Sequence, residues 1–514
     1  MNGAKSLVKT LLAAGVDTCF ANPGTSEMHF VAALDQVPGM RCVLGLQENV
    51  VTGMADGYYR VTRKPACTLL HCGPGLANGM GNLHNARRAR SGIVNIVGDQ
   101  ATCHRPFDAP LTADTAGMAQ TVSAWVRTST RTPELGRDAA EAVRAARSYP
   151  GQIATLILPA DVSWSEGGEV GTPFAAPPAA AIDGAAIDGA ARILRAHQGD
   201  VLLLLAGNAV LAASQRLAWR IASATGAKVM ADYVTSHLAR GRGNLPLERV
   251  PYAMEAAIRV LAPFKHIILV NARPPVGFFG YPNMPSVQHA PDAQLHVLSR
   301  PDQNPDEALR GLVEVLRAPD VAMPDPGPQP EAGSGAPTPE GLAQTLAALM
   351  PENAIVSDES ISYGRGFYKS THAAPAHDWL HLAGGAIGDG MPVATGAALG
   401  AGKRRRVISL QADGSAMYSL QSLWTQARER LPVTTIILNN GKYNILIGEY
   451  GNVGASPGET AMSMLDLGNP PLSWVKLANG MGVEAARATT LDELGRLMRS
   501  SFGRIGPFLI ELMV

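Results

Sequence analysis

Two short polar segments stand where an apolar run gives way to a turn. The run VISLQ delivers Ala412, Asp413, Gly414 and Ser415, and the run VTTIIL delivers Asn439, Asn440 and Gly441. One carboxylate, one amide oxygen and a nearby backbone carbonyl make about half of the oxygen octahedron that magnesium prefers, and that ion ordinarily keeps its other positions for water and phosphate oxygens. Gly414 lets a backbone approach a phosphate, and the N-terminus of the following helix, expected over roughly 420–430, favours negative charge. Each half alone has a plainer reading, a helix cap at Asp413 and a tight turn at Asn439–Gly441. Two such turns, each after a strand and joined by one helical crossover, favour a site for a metal and a diphosphate.

Two further residues have types suited to proton transfer. Glu48, in RCVLGLQENVVTGMADGYYR, follows a strand and opens a helix, a place where acidic residues are common for helix-dipole reasons alone. His71 follows the strand CTLL and precedes a Gly-Pro-Gly turn, so it should face the crevice at the strand ends. A lone histidine is nonetheless more often a satisfied structural residue.

These residues need a framework that brings strand ends together. Short apolar runs alternate with helical patterns almost throughout, at 18–21, 41–46, 66–70, 93–97 and 154–158, then 201–206, 228–231, 266–270 and 294–298, then 354–357, 406–411, 434–438 and 508–513. The alternation predicts an α/β protein of three doubly wound parallel-sheet domains. Two stretches interrupt it. Residues 167–181 are rich in Gly, Pro and Ala, and residues 318–339 carry seven prolines, which excludes a helix or a central strand. The expected domains are residues 1–165, a central Rossmann-like unit at 183–318, and residues 340–514. In such sheets ligands bind beyond the carboxyl ends of the strands.

Composition narrows the class further. The 514 residues exceed one compact core. Basic and acidic residues balance at 43 each, so no charge excess points to nucleic acid or an anionic membrane surface. The longest apolar run is too short to span a bilayer, and the N-terminal amphipathic stretch lacks the layout of a signal peptide. The cysteines Cys19, Cys42, Cys67, Cys72 and Cys103 fit neither a zinc nor a CxxC spacing and read as reduced thiols of a cytoplasmic protein.

The segment ADGSAMYSLQSLWTQARERLPVTTIILNNGKY resembles the thiamine diphosphate motif of the superfamily that holds acetolactate synthase, pyruvate decarboxylase and benzoylformate decarboxylase. Its usual first glycine is Ala412 here. LQE followed by ADGYYRVTRKP is similar to the family's glutamate-bearing segment. The resemblance implies magnesium held by Asp413, Asn440 and the carbonyl of Lys442, with Gly414, Ser415 and Tyr443 beside the diphosphate. It implies that Glu48 exchanges a proton with the coenzyme's pyrimidine ring nitrogen. In AGGAIGDGMPVATGAALG it places Gly384 and Gly385 at the pyrimidine and Ile387 under the bent coenzyme. It further implies self-association, as a dimer or a dimer of dimers, with sites at the interface.

On the substrate side, FANPGTSEMHF and LLHCGPGLANGMGNLHNARRA are similar to segments of benzoylformate decarboxylase that carry a serine contacting the substrate carboxylate and a histidine used in proton transfer. The matching residues are Thr25 and His71. Phe278 and Phe279 stand near the place of a second catalytic histidine, and Ile445 and Glu449 stand where an aryl-specific decarboxylase carries a smaller residue and an aromatic one. The expected activity is decarboxylation of a 2-oxo acid, with carboligation possible. The alternatives are an acetolactate synthase-like carboligase and, remotely, a non-catalytic cofactor-binding paralogue. No flavin signature stands out in the middle segment.

Overall fold

The computed structural model describes residues 1–514, the side chain of Arg365 excepted. Three sheets organise the chain. The first contains β1 (Thr18–Ala21), β2 (Arg41–Leu44), β3 (Ala66–Leu70), β4 (Ile93–Asp99), β5 (Trp125–Thr128) and β6 (Ile153–Pro159), all parallel, in the order β2-β1-β3-β4-β6-β5. In the middle segment come β7 (Val201–Leu205), β8 (Lys228–Ala231), β9 (Leu238–Arg240), β10 (Glu248–Arg249), β11 (His266–Val270) and β12 (Gln294–Ser299). Five of these form a parallel sheet ordered β10-β8-β7-β11-β12.

The third sheet holds β13 (Ile355–Glu359), β14 (His377–His381), β15 (Val407–Ala412), β16 (Val433–Asn439), β17 (Glu484–Ala488) and β18 (Phe508–Met513). Its order is β17-β18-β16-β15-β13-β14-β9. Every pair is parallel except the last, where β9 leaves the middle segment and adds antiparallel to β14. The fold is therefore α/β with three largely parallel sheets, as the alternation of apolar runs and helical patterns requires.

Five strands have no clear apolar run in the sequence. The edge strands β5 (WVRT) and β17 (EAARA) are half-exposed. Strand β14 (HDWLH) carries polar groups matched by distant partners. Asp378 pairs with His237 at 2.9 Å and with Arg405 at 2.6 Å, and His381 Nδ1 lies 3.0 Å from Thr235 Oγ1. Strands β9 and β10 are very short. The helix expected over roughly 420–430 is found at Ser422–Arg428, and a separate short helix, Asp413–Ala416, precedes it.

The first and third sheets share one core. Val50, Met54 and Leu70 pack in the same cluster as Val393, Ala397 and Val407. Helix Glu48–Thr62 lies directly on helix Gly390–Gly400. The approach is so close that a Cβ on Gly57 would sit 2.1 Å from the Val393 carbonyl oxygen, and one on Gly396 would sit 1.9 Å from that of Met54. Beside this contact Arg60 is fully buried. It pairs with Asp56 and lies 3.7 Å from Asp389, and its Nη1 donates to the His381 carbonyl at 2.7 Å. Buried charges persist only with such partners. The middle and last turns of helix Glu48–Thr62 are thus packed tightly against helix Gly390–Gly400 and the end of β14.

Candidate active site

Strands β15 and β16 are neighbours, with Ala412 opposite Leu438, so their following turns leave the sheet side by side. Asp413 is almost fully buried. Its Oδ1 accepts from the Gly414 N–H at 3.0 Å and its Oδ2 from the Gly441 N–H at 2.8 Å. Burial pushes the carboxyl pKa up, and these backbone donors oppose the shift. Among the described residues no basic side chain forms an ion pair with Asp413. A buried carboxylate lacking a protein countercharge, set against an amide-bearing turn, has the hard oxygen chemistry that suits a magnesium ion.

The rest of the turn is ordered around this carboxylate. Asn440 Oδ1 accepts from the Lys442 N–H at 3.1 Å, and Ser415 Oγ donates to the Ala412 carbonyl at 3.1 Å. Gly414 is needed for packing whatever it does for a phosphate, because a Cβ there would lie 2.5 Å from the Tyr443 ring. The Lys442 backbone bridges to Asp466, and the Tyr443 N–H donates to the Leu465 carbonyl at 2.9 Å.

Glu48 is the first residue of its helix. The Gln47 side chain caps that helix by accepting from the N–H groups of Asn49 and Val50. The helix cap is therefore supplied without Glu48, which frees its half-buried carboxylate; Asn78 Nδ2 donates to Glu48 Oε2 at 3.1 Å. An acid that merely served the helix end would be expected to bond the end itself.

The loop 384–390 is clamped from the helix Cys72–Ala89. Asn85 donates to the Ala386 carbonyl at 2.7 Å and accepts from the Ala386 N–H at 3.2 Å. His84 Nε2 lies 3.1 Å from the Gly384 carbonyl, and Asn82 donates to the Gly388 carbonyl at 3.1 Å. From the other side the buried Glu359 accepts from the N–H groups of Gly388 and Gly390 at 2.6 and 2.7 Å. Gly385 has a φ of 83°, and the Phe278 ring stands where its side chain would be, 2.6 Å from an added Cβ. Ile387 is half-buried and lies outside the hydrophobic clusters, so core packing does not account for it.

His71 ends β3 and meets the loop that follows β1. Its Nδ1 lies 2.9 Å from Glu27 Oε2 and 3.2 Å from Ser26 Oγ. Glu27 is buried and also accepts from the Gly24 N–H at 2.8 Å. Thr25 is exposed at the start of this turn, and the neighbouring Ser26 is the residue whose hydroxyl faces the imidazole. Cys72, at a left-handed φ of 53°, brings its Sγ within 3.2 Å of Ser26 Oγ. The donor atoms of Glu27, His71 and Cys72 all fall within 4.8 Å of one another.

Sequence reasoning missed Glu27, Asn82, Asn85 and Glu359. The signal for Glu27 was present in GTSE, where a glutamate three residues after a turn can bond back to it. Asn82 and Asn85 share one helix face, but their partners lie in a loop about three hundred residues away.

Comparison with known proteins gives one consistent picture. Residues 1–121 match the thiamine pyrophosphate enzyme N-terminal TPP binding domain, and residues 365–512 match the C-terminal TPP binding domain. The chain is 47% identical to the "Putative acetolactate synthase large subunit IlvX" of Mycobacterium tuberculosis, over 100% of this chain and 99% of that one. It is 31% identical to a benzoylformate decarboxylase of Pseudomonas aeruginosa, covering 97% of this chain and 96% of the other. Among solved structures, a thiamine diphosphate-dependent 4-hydroxybenzoylformate decarboxylase of Rhodococcus jostii RHA1 superposes with a TM-score of 0.85 at 26% identity, covering 99% and 98% of the two chains. With matching domains at both ends, full-length relatives, and a buried carboxylate and amide turn on adjacent strands, this chain belongs to the thiamine pyrophosphate enzyme family.

Proposed function

We propose that the protein is a thiamine diphosphate-dependent decarboxylase of 2-oxo acids that releases an aldehyde. The observation that carries this reading is the His71–Glu27 pair at the carboxyl ends of β3 and β1. An imidazole held by a buried carboxylate and left 22% exposed is equipped to give or take a proton at a bound substrate. The full-length likeness to benzoylformate decarboxylase supports it.

The coenzyme, when bound, supplies the electron sink that allows a bond next to a ketone to break. Asp413, Asn440 and the Lys442 carbonyl would hold magnesium and, through it, the diphosphate. Gly384, Gly385 and Ile387 would seat the rings on a loop fixed by Asn82, Asn85 and Glu359. Glu48 holds the proton that exchanges with the pyrimidine nitrogen. We place it opposite the diphosphate turn of a neighbouring copy, so that the working unit is a dimer or a dimer of dimers. Thr25 and Ser26 face the substrate carboxylate, and His71 moves the proton that completes the product.

A second reading, an acetolactate synthase-like carboligase, is favoured by the 47% identical relative bearing that name. The two differ in product. Protein loaded with thiamine diphosphate and magnesium is supplied with a panel of 2-oxo acids, with and without an aldehyde acceptor, and carbon dioxide and products are measured. Aldehyde as the main product supports decarboxylation, whereas an acyloin at equal or greater rate supports the carboligase. In parallel, Glu48→Gln should abolish turnover while coenzyme binding persists. Turnover by that variant at the parent rate overturns the role given to Glu48.

A further inference from the structure

A cavity of about 290 Å³ lies between the middle segment and the helix Asn444–Val453. Its volume is close to the lower end of small-molecule sites. The helix follows the Asn440–Lys442 turn directly, and Ile445, Gly448, Glu449 and Asn452 present one helical face to the cavity. The opposite wall comes from the middle segment, through Tyr252 and Tyr281. That wall continues to Phe278, whose ring is 5.6 Å from Tyr252 and abuts Gly385. Both walls are therefore anchored to the turns proposed to seat the coenzyme.

The charge of this cavity is one-sided. Glu449 and Glu255 line it, and no Lys, Arg or His does so among the described residues. Glu449 is held in place, because its Oε2 accepts from the Tyr281 hydroxyl and from Asn452 Nδ2, both at 3.0 Å. The Glu449 charge, with burial as the larger cause, pushes the Tyr252 and Tyr281 phenols up, which keeps both as neutral donors. Met254 and Met284 supply the remaining apolar lining. Such a lining rejects an anionic tail and leaves an acceptor-rich end for a cation, with an apolar stem able to lie along Ile445.

Resting on the 2-oxo acid reading above, we propose that the cavity selects 2-oxo acids whose side chain ends in a cation, with Glu449 as the residue that recognises it. The substrate's own carboxylate would lie at the opposite end, toward the coenzyme and toward Thr25 and Ser26 of the partner subunit.

The test compares 5-guanidino-2-oxopentanoate with its neutral near-isostere 5-ureido-2-oxopentanoate, and with 2-oxohexanoate, on coenzyme-loaded protein. The guanidino acid should show the larger kcat/KM by at least about tenfold, the scale of a hydrogen bond to a charged group. Glu449→Gln should bring the guanidino-to-ureido ratio close to one. The comparison on the unmodified protein needs no variant to fold. Equal kcat/KM for the two acids, or carbon dioxide from 2-oxohexanoate alone, overturns the proposal and leaves the decarboxylase reading intact. Absence of carbon dioxide from every 2-oxo acid tested overturns both.

Discussion

The Nδ1 of His71 and the Oε2 of Glu27 stand 2.9 Å apart, although 44 positions separate them in the chain. The pair exists because β1 and β3 are adjacent parallel strands, so the turns that follow them emerge together. Glu27 is buried and reaches the crevice through the His71 imidazole and the Ser26 hydroxyl, which donates to it, and this makes it a positioning residue.

From that pairing, Glu27→Gln should lower kcat by about 10- to 100-fold with a much smaller change in KM, while His71→Ala should cost about 10²–10⁴ in kcat. Steady-state kinetics on the best 2-oxo acid decide the matter. A Glu27→Gln protein with parental kcat would remove the imidazole–carboxylate pair from the mechanism.

Asp413 has backbone donors but no basic ion-pair partner among the described residues. Magnesium with thiamine diphosphate at about 100 times the dissociation constant should stabilise the parent by about 2.7 kcal/mol. A thermal melt should show that gain, and excess chelator should reverse it. Asp413→Asn keeps the side-chain shape and should show no gain at the same concentrations. A parental shift in this variant would place the metal elsewhere.

Glu359 is buried and its pKa is pushed up to about 7, chiefly by desolvation, with the Gly388 and Gly390 N–H groups opposing. Asp389 beside it is displaced in the same direction. Because the folded pKa lies above the unfolded one, folding favours the protonated acid. Its stabilising contribution is present below about pH 4.5 and is lost as pH rises through 7. His372 and His377, held neutral by burial with pKa values of about 3 and 4, act in the opposite sense below pH 6.5. The diagnostic is therefore the difference between parent and Glu359→Gln. Urea unfolding should show the parent losing stability relative to the variant from pH 4.5 to 7. At pH 5 the variant should be weaker by about 1–3 kcal/mol, because its amide group must face a backbone N–H. A pH-independent difference would mean that Glu359 titrates normally.

Gly57 and Gly396 meet opposing backbone carbonyls at the helix crossing. Gly57→Ala and Gly396→Ala should each destabilise by about 1–3 kcal/mol through overpacking. Gly189→Ala, in an uncrowded helix interior, should instead stabilise by about 0.5–1 kcal/mol. Chemical denaturation of the three variants separates a steric effect from a general helix effect. Equal responses at all three sites would contradict the close helix contact.

Local patterns carried much of this protein in the sequence alone. Thirteen apolar runs each gave a strand; one buried on both faces, such as β7, must be apolar along its length, whereas β2 and β12 are partly exposed. The adjacency of the turns that carry Asp413 and Asn440 was legible because turns that follow neighbouring parallel strands leave the sheet side by side. Tertiary structure decided what depends on two distant places at once. It joined Glu27 to His71, locked Asn82 and Asn85 onto the 384–390 loop, and carried β9 out of the middle segment onto β14. It also showed Ser26, rather than Thr25, with its hydroxyl toward His71. A polar side chain looks the same in sequence whether water or a buried partner satisfies it, and only the packed chain says which.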